Sequence, residues 1–472
     1  MKRIAIIGAG ITGLAAAHRI GELAAQPKTP VETVILERSD RAGGPLKTIR
    51  RGGFVMETGA DSFLTDKPAA AELAKRVGLG DDLIPTRVQF RRTYVVHNGK
   101  LVEIPEGFSL LAPTHLEPVM DSPLFSEEGK RRIALEPTIP RRTESGDESL
   151  ASFVTRRLGR EVLDRVAQPL AGGIYTADPA RLSVAATMPR FVEMEKSHGS
   201  LIQGLQAVEK ARASKAPGTS GARWSLFLSM RAGMGSLVDA VVSRVAGSLR
   251  FATEVSAISY RNRRWHLALG GGRRMDADGV ICAAPAFAAA RLLRAAYPNL
   301  ADLLGKIGYA SAATVNMTFC ESDFPSPPRT FGFVVPIIEQ RKIIAGSFSS
   351  LKFEERAPSG SVVARAFVGG VLQNEMMALP DEEIVSAVRD EFRALLGVTA
   401  VPGIVAVQRW PDSMPQYEVG HLDRVGEIEH RVARLPRFVL AGAAYRGLGI
   451  PDCVRSGEEA AHTILAQLAE SA

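Results

Sequence analysis

Lys2-Arg3-Ile4-Ala5-Ile6-Ile7-Gly8-Ala9-Gly10-Ile11-Thr12-Gly13-Leu14 is the stretch on which the fold turns. An apolar run reaches three glycines spaced G-x-G-x-x-G, and a small-residue helical pattern, Leu14 to Ala25, follows. The pattern predicts a buried parallel strand over residues 2 to 8, a glycine turn and a helix, and Val31 to Glu37 predicts the next strand. Together these make a βαβ unit starting at Met1. Gly8 would form the turn, Gly10 would let the backbone approach a pyrophosphate, and Gly13 would let helix pack on strand. Ala9, Ile11 and Thr12 complete a loop whose amides meet an anion at the helix start. Glu37 would accept hydrogen bonds from ribose hydroxyls. A bare G-x-G-x-x-G can be a simple turn, but strand, helix and terminal acid together predict dinucleotide binding.

Around this stretch, 472 residues suggest about three domain-sized units at roughly 150 residues each. Hydrophobic residues form 46% and charged residues 23%, which excludes wholesale disorder and coiled coil. The net charge of +7 admits an acidic small molecule, an anionic membrane or nucleic acid. Arg-Arg doublets scatter from Arg50-Arg51 to Arg273-Arg274 without interleaved aromatics, so nucleic acid is not expected. Cys282, Cys320 and Cys453 show no CxxC spacing, which points to a reducing, cytoplasmic setting and to no structural metal. Lys2-Arg3 and the following apolar stretch imitate a secretory leader, but the phosphate-loop glycines argue against one. The next apolar run, Val280 to Ala290, is too short to span a bilayer.

Further along, Asp66 to Val77 predicts a helix and Arg92 to Ile104 a hairpin turning at Asn98-Gly99. Residues 108 to 206 read as helical and polar-rich, with Ser149 to Val166 the clearest amphipathic segment, and 210 to 222 read as an exposed loop. A helix over Gly235 to Val245 leads into strands Leu249 to Tyr260, Trp265 to Leu269 and Asp278 to Ala284. Strands are expected over Ala313 to Phe319, Thr330 to Val335, Ile343 to Phe348 and Val362 to Val368, with a helix over Asp381 to Leu396. Phe438 to Ala441 predicts a strand, followed by a glycine turn and a helix over Val454 to Ala469.

Arg38-Ser39-Asp40-Arg41-Ala42-Gly43-Gly44 is similar to the turn of large flavoproteins that closes over the diphosphate after the ribose-binding acid, which favours FAD over NAD. Glu57-Thr58-Gly59-Ala60-Asp61-Ser62-Phe63-Leu64 is similar to the segment that lies along that cofactor. Gly173-Ile174-Tyr175-Thr176-Ala177-Asp178-Pro179, Trp410-Pro411 with Pro415-Gln416-Tyr417-Glu418-Val419-Gly420-His421, and Ala443-Ala444-Tyr445-Arg446-Gly447-Leu448-Gly449-Ile450-Pro451-Asp452-Cys453 complete the set. In this order the pieces resemble the FAD-dependent amine-oxidase superfamily, and within it the oxygen-dependent porphyrinogen oxidases of haem biosynthesis. Ala60 departs from the family's proline, Thr176-Ala177 from its Ala-Gly, and Arg231-Ala232-Gly233-Met234-Gly235 from its glycine pair before Met. The first two bear on substrate identity rather than fold.

The resemblance implies an α/β fold with a discontinuous FAD-binding, Rossmann-like (GR2-type) domain over 1–65, 223–300 and 406–472. A mixed-sheet substrate-binding domain over 66–107 and 301–405 and a helical insertion over 108–222 complete it. It implies noncovalent FAD contacted by Gly8 to Gly13, Glu37, Arg38, Arg41, Gly43, Gly44, Glu57, Thr58, Gly59, Ala60, Val255, Trp410, Gly442, Leu448, Gly449 and Ile450. The substrate would be protoporphyrinogen or coproporphyrinogen, oxidised by hydride transfer to the flavin, with oxygen as acceptor and hydrogen peroxide as product. An arginine fork suits its propionates, and Arg91 and Arg92 stand best by motif, a surface role for one of them remaining open. Gly172 and Gly173 would clear room for the ring plane and Ile174 and Tyr175 would line it, although a helix-ending glycine pair is the plain alternative.

No catalytic triad or carboxylate pair is visible, in keeping with chemistry carried by a cofactor. His421 reads as a buried structural histidine. Peripheral membrane contact, a homodimer and hand-off to a ferrochelatase belong to the same expectation. Three rivals stay open: an amine oxidase, a carotenoid desaturase, and a noncatalytic carrier of the GDP-dissociation-inhibitor kind.

Overall fold

Strand Lys2–Ile7 lies at the centre of a five-stranded, wholly parallel sheet. Its neighbours, in order, are Ser248–Arg250, Val31–Leu36, the central strand, Gly279–Cys282 and Phe438–Leu440. The computed structural model describes residues 1–24, 30–213, 226–245 and 247–470. Both faces of this sheet are covered, which is why its strands are apolar runs rather than alternations. On one face helix Ile11–Ala24 packs against helix Ile450–Ala469 so closely that a Cβ on Gly457 would lie 2.2 Å from the Thr12 carbonyl oxygen. The other face carries helices Ala286–Leu293 and Pro298–Gly305 and an antiparallel three-stranded sheet, Val255–Arg261, Arg264–Leu269 and Arg274–Ala277. Trp265 fills that layer, with its indole N–H donating to the Pro436 carbonyl at 2.8 Å.

A second, seven-stranded sheet runs Val405–Pro415, Tyr309–Cys320, Ser361–Gly369, Ala345–Phe348, Gly332–Val334, Thr93–His97 and Lys100–Glu103. It is antiparallel except where Gly332–Val334 runs parallel to Thr93–His97. Helix Asp381–Leu396 covers one face and ends at Gly397 in the left-handed region. The helices between Glu117 and Ala213 pack on the Thr93–His97 end around Phe153, Val166 and Phe191. That layer holds a fully buried ion pair, Arg157 with Glu136, whose carboxylate also accepts from the Leu201 and Ile202 amides at the start of helix Leu201–Ala213.

Several expectations need correction. Leu249 to Tyr260 is not one strand: Ser248–Arg250 joins the parallel sheet and Val255–Arg261 the three-stranded one, divided by Ala252 at φ 46°. Residues 210 to 213 belong to helix Leu201–Ala213, not to a loop, and 214 to 222 lie outside the described residues. The expected helical stretch from 108 also holds two-residue strands, Phe108–Ser109 and Ala112–Pro113. The amphipathic segment from Ser149 breaks at Gly159, whose φ of 95° ends one helix before the next begins. No helix among the described residues is long and apolar enough to cross a membrane.

Candidate functional site

The loop after strand Lys2–Ile7 forms an open cradle. Gly8 sits at φ 102°, and a Cβ on Gly13 would lie 2.0 Å from the Gly8 carbonyl oxygen, so both positions require glycine. Gly10 differs, because a Cβ there would meet no atom within 4 Å. Its neighbour across the cradle is the second turn: Gly10 bridges to Gly43, the Gly43 amide donates to Ala9 at 2.8 Å, and a Cβ on Gly44 would lie 3.7 Å from the Gly10 α-carbon. A diphosphate fits the open space above Gly10, at the start of helix Ile11–Ala24, where Ile11 and Thr12 are buried. Arg41 lies beside it. Its guanidinium donates to the Ala42 and Gly44 carbonyls and stands 6.0 Å from the centre of the Trp410 ring.

Glu37 follows the neighbouring strand Val31–Leu36 and accepts from the Ala9 amide at 2.8 Å and from the Ser39 amide at 2.9 Å. The Thr253 amide donates to the Glu37 carbonyl, which brings buried Val255 to this side of the cradle, while the Arg38 side chain is exposed. A dinucleotide laid across the strand ends thus runs from Glu37 over Gly10 towards Gly442.

From Gly44 the wall continues into residues 57 to 59. The Thr58 amide donates to Lys47, and a Cβ on Gly59 would fall 1.7 Å from the Pro45 carbonyl oxygen. Three successive carbonyls of this strip are held by side chains of the seven-stranded sheet. Asn316 donates to Glu57 at 3.0 Å, Thr314 and Trp410 both donate to Thr58, at 2.8 and 2.6 Å, and the Arg365 guanidinium donates to Gly59. Ala60 is exposed. The Glu57 carboxyl is buried and accepts from Thr48 and from the Met234 amide, and burial pushes its pKa up. Burial acts the same way on Asp61, yet Lys352 at 2.9 Å and Arg365 at 3.9 Å outweigh it and hold that carboxyl well below the usual range.

The remaining motifs converge on the far end of the cradle. Gly442, at φ 122°, donates its amide to Ser456, and Gly449 precedes helix Ile450–Ala469, with Leu448 half-buried and Ile450 buried. The Tyr417 hydroxyl donates to Ala443 at 2.7 Å and accepts from the Gly447 amide at 2.8 Å. The Ser183 amide donates to Tyr417, Gln416 donates to the Tyr175 carbonyl, and Arg181 pairs with Glu418 at 2.6 Å. Residues 173–183, 415–421 and 443–452 are therefore bonded into one wall. Gly173 and Ile174 are exposed on it, and the Tyr175 hydroxyl donates to Thr187, its pKa raised to about 12 by burial and by Asp452.

His421 is buried behind this wall, with Nε2 2.9 Å from the Tyr445 carbonyl oxygen and the ring stacked on Tyr417. Cys453 faces the Leu448 carbonyl, and burial lifts its thiol to about 11.

Arg91 and Arg92 are not brought to the cradle. Both side chains are exposed ahead of strand Thr93–His97, and Arg92 stands 3.6 Å from Glu103. Sequence reasoning missed the buried cations Arg356 and Arg365, the partly buried Lys352 and the polar anchors Thr314 and Asn316. One signal was there: Arg365 interrupts the apolar run from Val362 to Val368. No group of side chains that could hold a metal occurs among the described residues.

The parallel sheet with its glycine cradle places the chain in the class of dinucleotide-binding proteins. Residues 11–465 match the model of the flavin containing amine oxidoreductase family, and the chain belongs to that family. It is an oxidoreductase whose cofactor is FAD. Among curated relatives it is 32% identical to Coproporphyrinogen III oxidase of Bacillus subtilis, covering 99% of this chain and 98% of that one. It is 30% identical to Protoporphyrinogen oxidase of Macaca fascicularis, with 98% of each covered. A crystal structure from Exiguobacterium sp., provisionally assigned as a protoporphyrinogen oxidase, superposes with TM-score 0.86 at 31% identity, covering 99% of both chains.

Proposed function

We propose that this chain oxidises a porphyrinogen to the porphyrin, with coproporphyrinogen III as its preferred substrate, oxygen as acceptor and hydrogen peroxide as product. The reading is supported by the wall in which residues 173–183, 415–421 and 443–452 bond to one another beside the cradle. Bound FAD would accept hydride equivalents; everything else falls to the protein. Gly8 to Gly13, Arg41, Gly43 and Gly44 would hold the diphosphate and Glu37 the ribose. Residues 57 to 60 and Trp410 would flank the ring, and the amides before Ile450 would meet its electron-rich edge. The cofactor is noncovalent in this reading, because the Cys453 thiol is buried against Leu448.

Gly173 would clear space for a flat macrocycle and Ile174 and Tyr175 would line it; Arg91 or Arg92, exposed outside the cradle, would pair only with a propionate that reaches out of it. Coproporphyrinogen carries more propionates than protoporphyrinogen, which suits a chain of net charge +7. The test is turnover of each porphyrinogen by the purified yellow protein, with porphyrin fluorescence and peroxide measured together. Faster kcat/KM for the coproporphyrinogen supports the assignment; turnover of an alkylamine and of neither porphyrinogen overturns it. Self-association as a homodimer, hand-off to a ferrochelatase and a peripheral, salt-released membrane contact complete the reading.

A further inference from the structure

Five charged side chains surround the strip from Glu57 to Asp61: two carboxylates, Glu57 and Asp61, and three cations, Lys352, Arg356 and Arg365. Arg356, only 1% exposed, makes no ion pair among the described residues, where it donates to neutral oxygens: Ser229 Oγ and the Met230 and Arg231 carbonyls. Arg365, 3% exposed, shares Asp61 with Lys352, donates to the Gly59 carbonyl and packs its guanidinium 4.5 Å from the Phe367 ring centre. Its Nε has no hydrogen-bond partner among the described residues. Among the described residues around the strip the fully buried cations, Arg356 and Arg365, outnumber the one fully buried carboxylate, Glu57, while Lys352 and Asp61 are partly buried. An uncompensated buried charge is costly unless something anionic arrives. The strip they surround continues the cradle from Gly10 through Gly44 and Pro45 to Gly59.

We propose that Arg365 is a positioning residue for the flavin: it fixes the Gly59 carbonyl, and its surplus positive charge favours the ring when that ring becomes anionic. The inference rests on FAD lying in this cradle, but not on the identity of the organic substrate. Asp61 opposes the effect and Lys352 assists it. A unit charge acting over about 10 Å at an effective dielectric near 20 changes such an equilibrium by roughly ten- to twentyfold.

Sulfite is a suitable probe. Its sulfur lone pair forms a bond to flavin N5 as the N5=C4a π bond opens, and the displaced electron pair and the added negative charge rest on the ring's N1–C2=O side. Holoenzymes of the wild type, Arg365→Met, Arg365→Lys and Asp61→Asn are titrated with sulfite while flavin absorbance is followed. FAD content and melting temperature are measured alongside. Arg365→Met should weaken sulfite binding about tenfold or more, and Asp61→Asn should tighten it by a similar factor. Arg365→Lys should stay within about threefold of wild type. The two-electron midpoint potential should move in the same directions, about 30 mV for each tenfold, and it carries the test where a variant forms no adduct. Should Arg365→Met fail to retain FAD, Lys352→Met provides the same loss of charge with less disruption. A merely structural role predicts losses of the same sign in both Arg365→Met and Asp61→Asn, or no change, and either result overturns the proposal. Normal sulfite behaviour without porphyrinogen turnover would instead refute the substrate assignment and leave this inference standing.

Discussion

Gly10→Val and Gly13→Ala, three residues apart in one loop, should fail for opposite reasons. A side chain at Gly10 meets no protein atom within 4 Å, and its φ is not left-handed, so the apoprotein should lose only a favourable helix-capping residue, about 1 kcal/mol. That same side chain occupies the space proposed for the diphosphate. FAD present at about a thousand times its Kd stabilises a protein by roughly 4 kcal/mol, and Gly10→Val should forfeit all of it. At Gly13 the new Cβ stands 2.0 Å from the Gly8 carbonyl oxygen, so helix and strand must separate at a cost of about 1–3 kcal/mol or more, with or without FAD. The assay is thermal unfolding of FAD-stripped protein with and without added FAD, together with flavin absorbance after gel filtration. Gly10→Val should melt near wild-type apoprotein and show no upward shift with FAD; Gly13→Ala should melt low in both conditions. Full flavin content in Gly10→Val would refute the placement of the diphosphate, and a wild-type melting curve for Gly13→Ala would refute the packing argument.

Truncating whichever of Arg91 and Arg92 binds a propionate should raise KM about ten- to 150-fold with kcat near wild type, since the contact is equal in ground and transition states; less than twofold change in both variants and the double assigns them to solvated surface. Burial holds His421 and His18 below the ordinary imidazole pKa, so the unfolded chain takes up protons first on acidification. Stability should therefore be complete above pH of about 6.5 and fall below it, and His421→Phe should flatten part of that slope in a melting series; an unchanged slope would contradict the burial argument. Arg157→Ala strands the buried Glu136 carboxylate and should cost about 3–5 kcal/mol in a denaturant titration, whereas Arg157→Met with Glu136→Leu should recover most of it. Equal losses in the single and double variants would mean that the ion pair is not the source of the effect.

The dinucleotide unit was legible because its signals are local. Residues 2–13 contain strand, turn and helix start within one stretch, and the structure places the helix three residues earlier than Leu14, at Ile11, because the loop amides already turn helically. Val405–Pro415 and helix His421–Val432 were not anticipated as elements, although the quoted motifs include Trp410-Pro411 inside the strand and His421 at the start of the helix. Trp410-Pro411 sits inside that strand, and Pro411 lies where its register with Tyr309–Cys320 shifts, so its proline hid a long edge strand. The polar seam was invisible for another reason. Thr314, Asn316, Arg365 and Trp410 come together only because three strands distant in sequence are neighbours in one sheet, and no spacing along the chain encodes that register.

The packing of helix Ile450–Ala469 on helix Ile11–Ala24 has a consequence for how the molecule is made. Thr12 lies under Gly457, and strand Lys2–Ile7 takes its partners at 279–282 and, through them, at 438–440. At about 5–20 residues per second, a ribosome needs roughly 20 to 90 s between delivering the glycine loop and delivering the helix that closes over it. Throughout that interval Ile4, Ile6, Leu14 and Ile20 lack their final cover. Cofactor loading should thus be a late, post-translational event, and nascent chains should depend on chaperones that shield the loop until the other end of the polypeptide arrives.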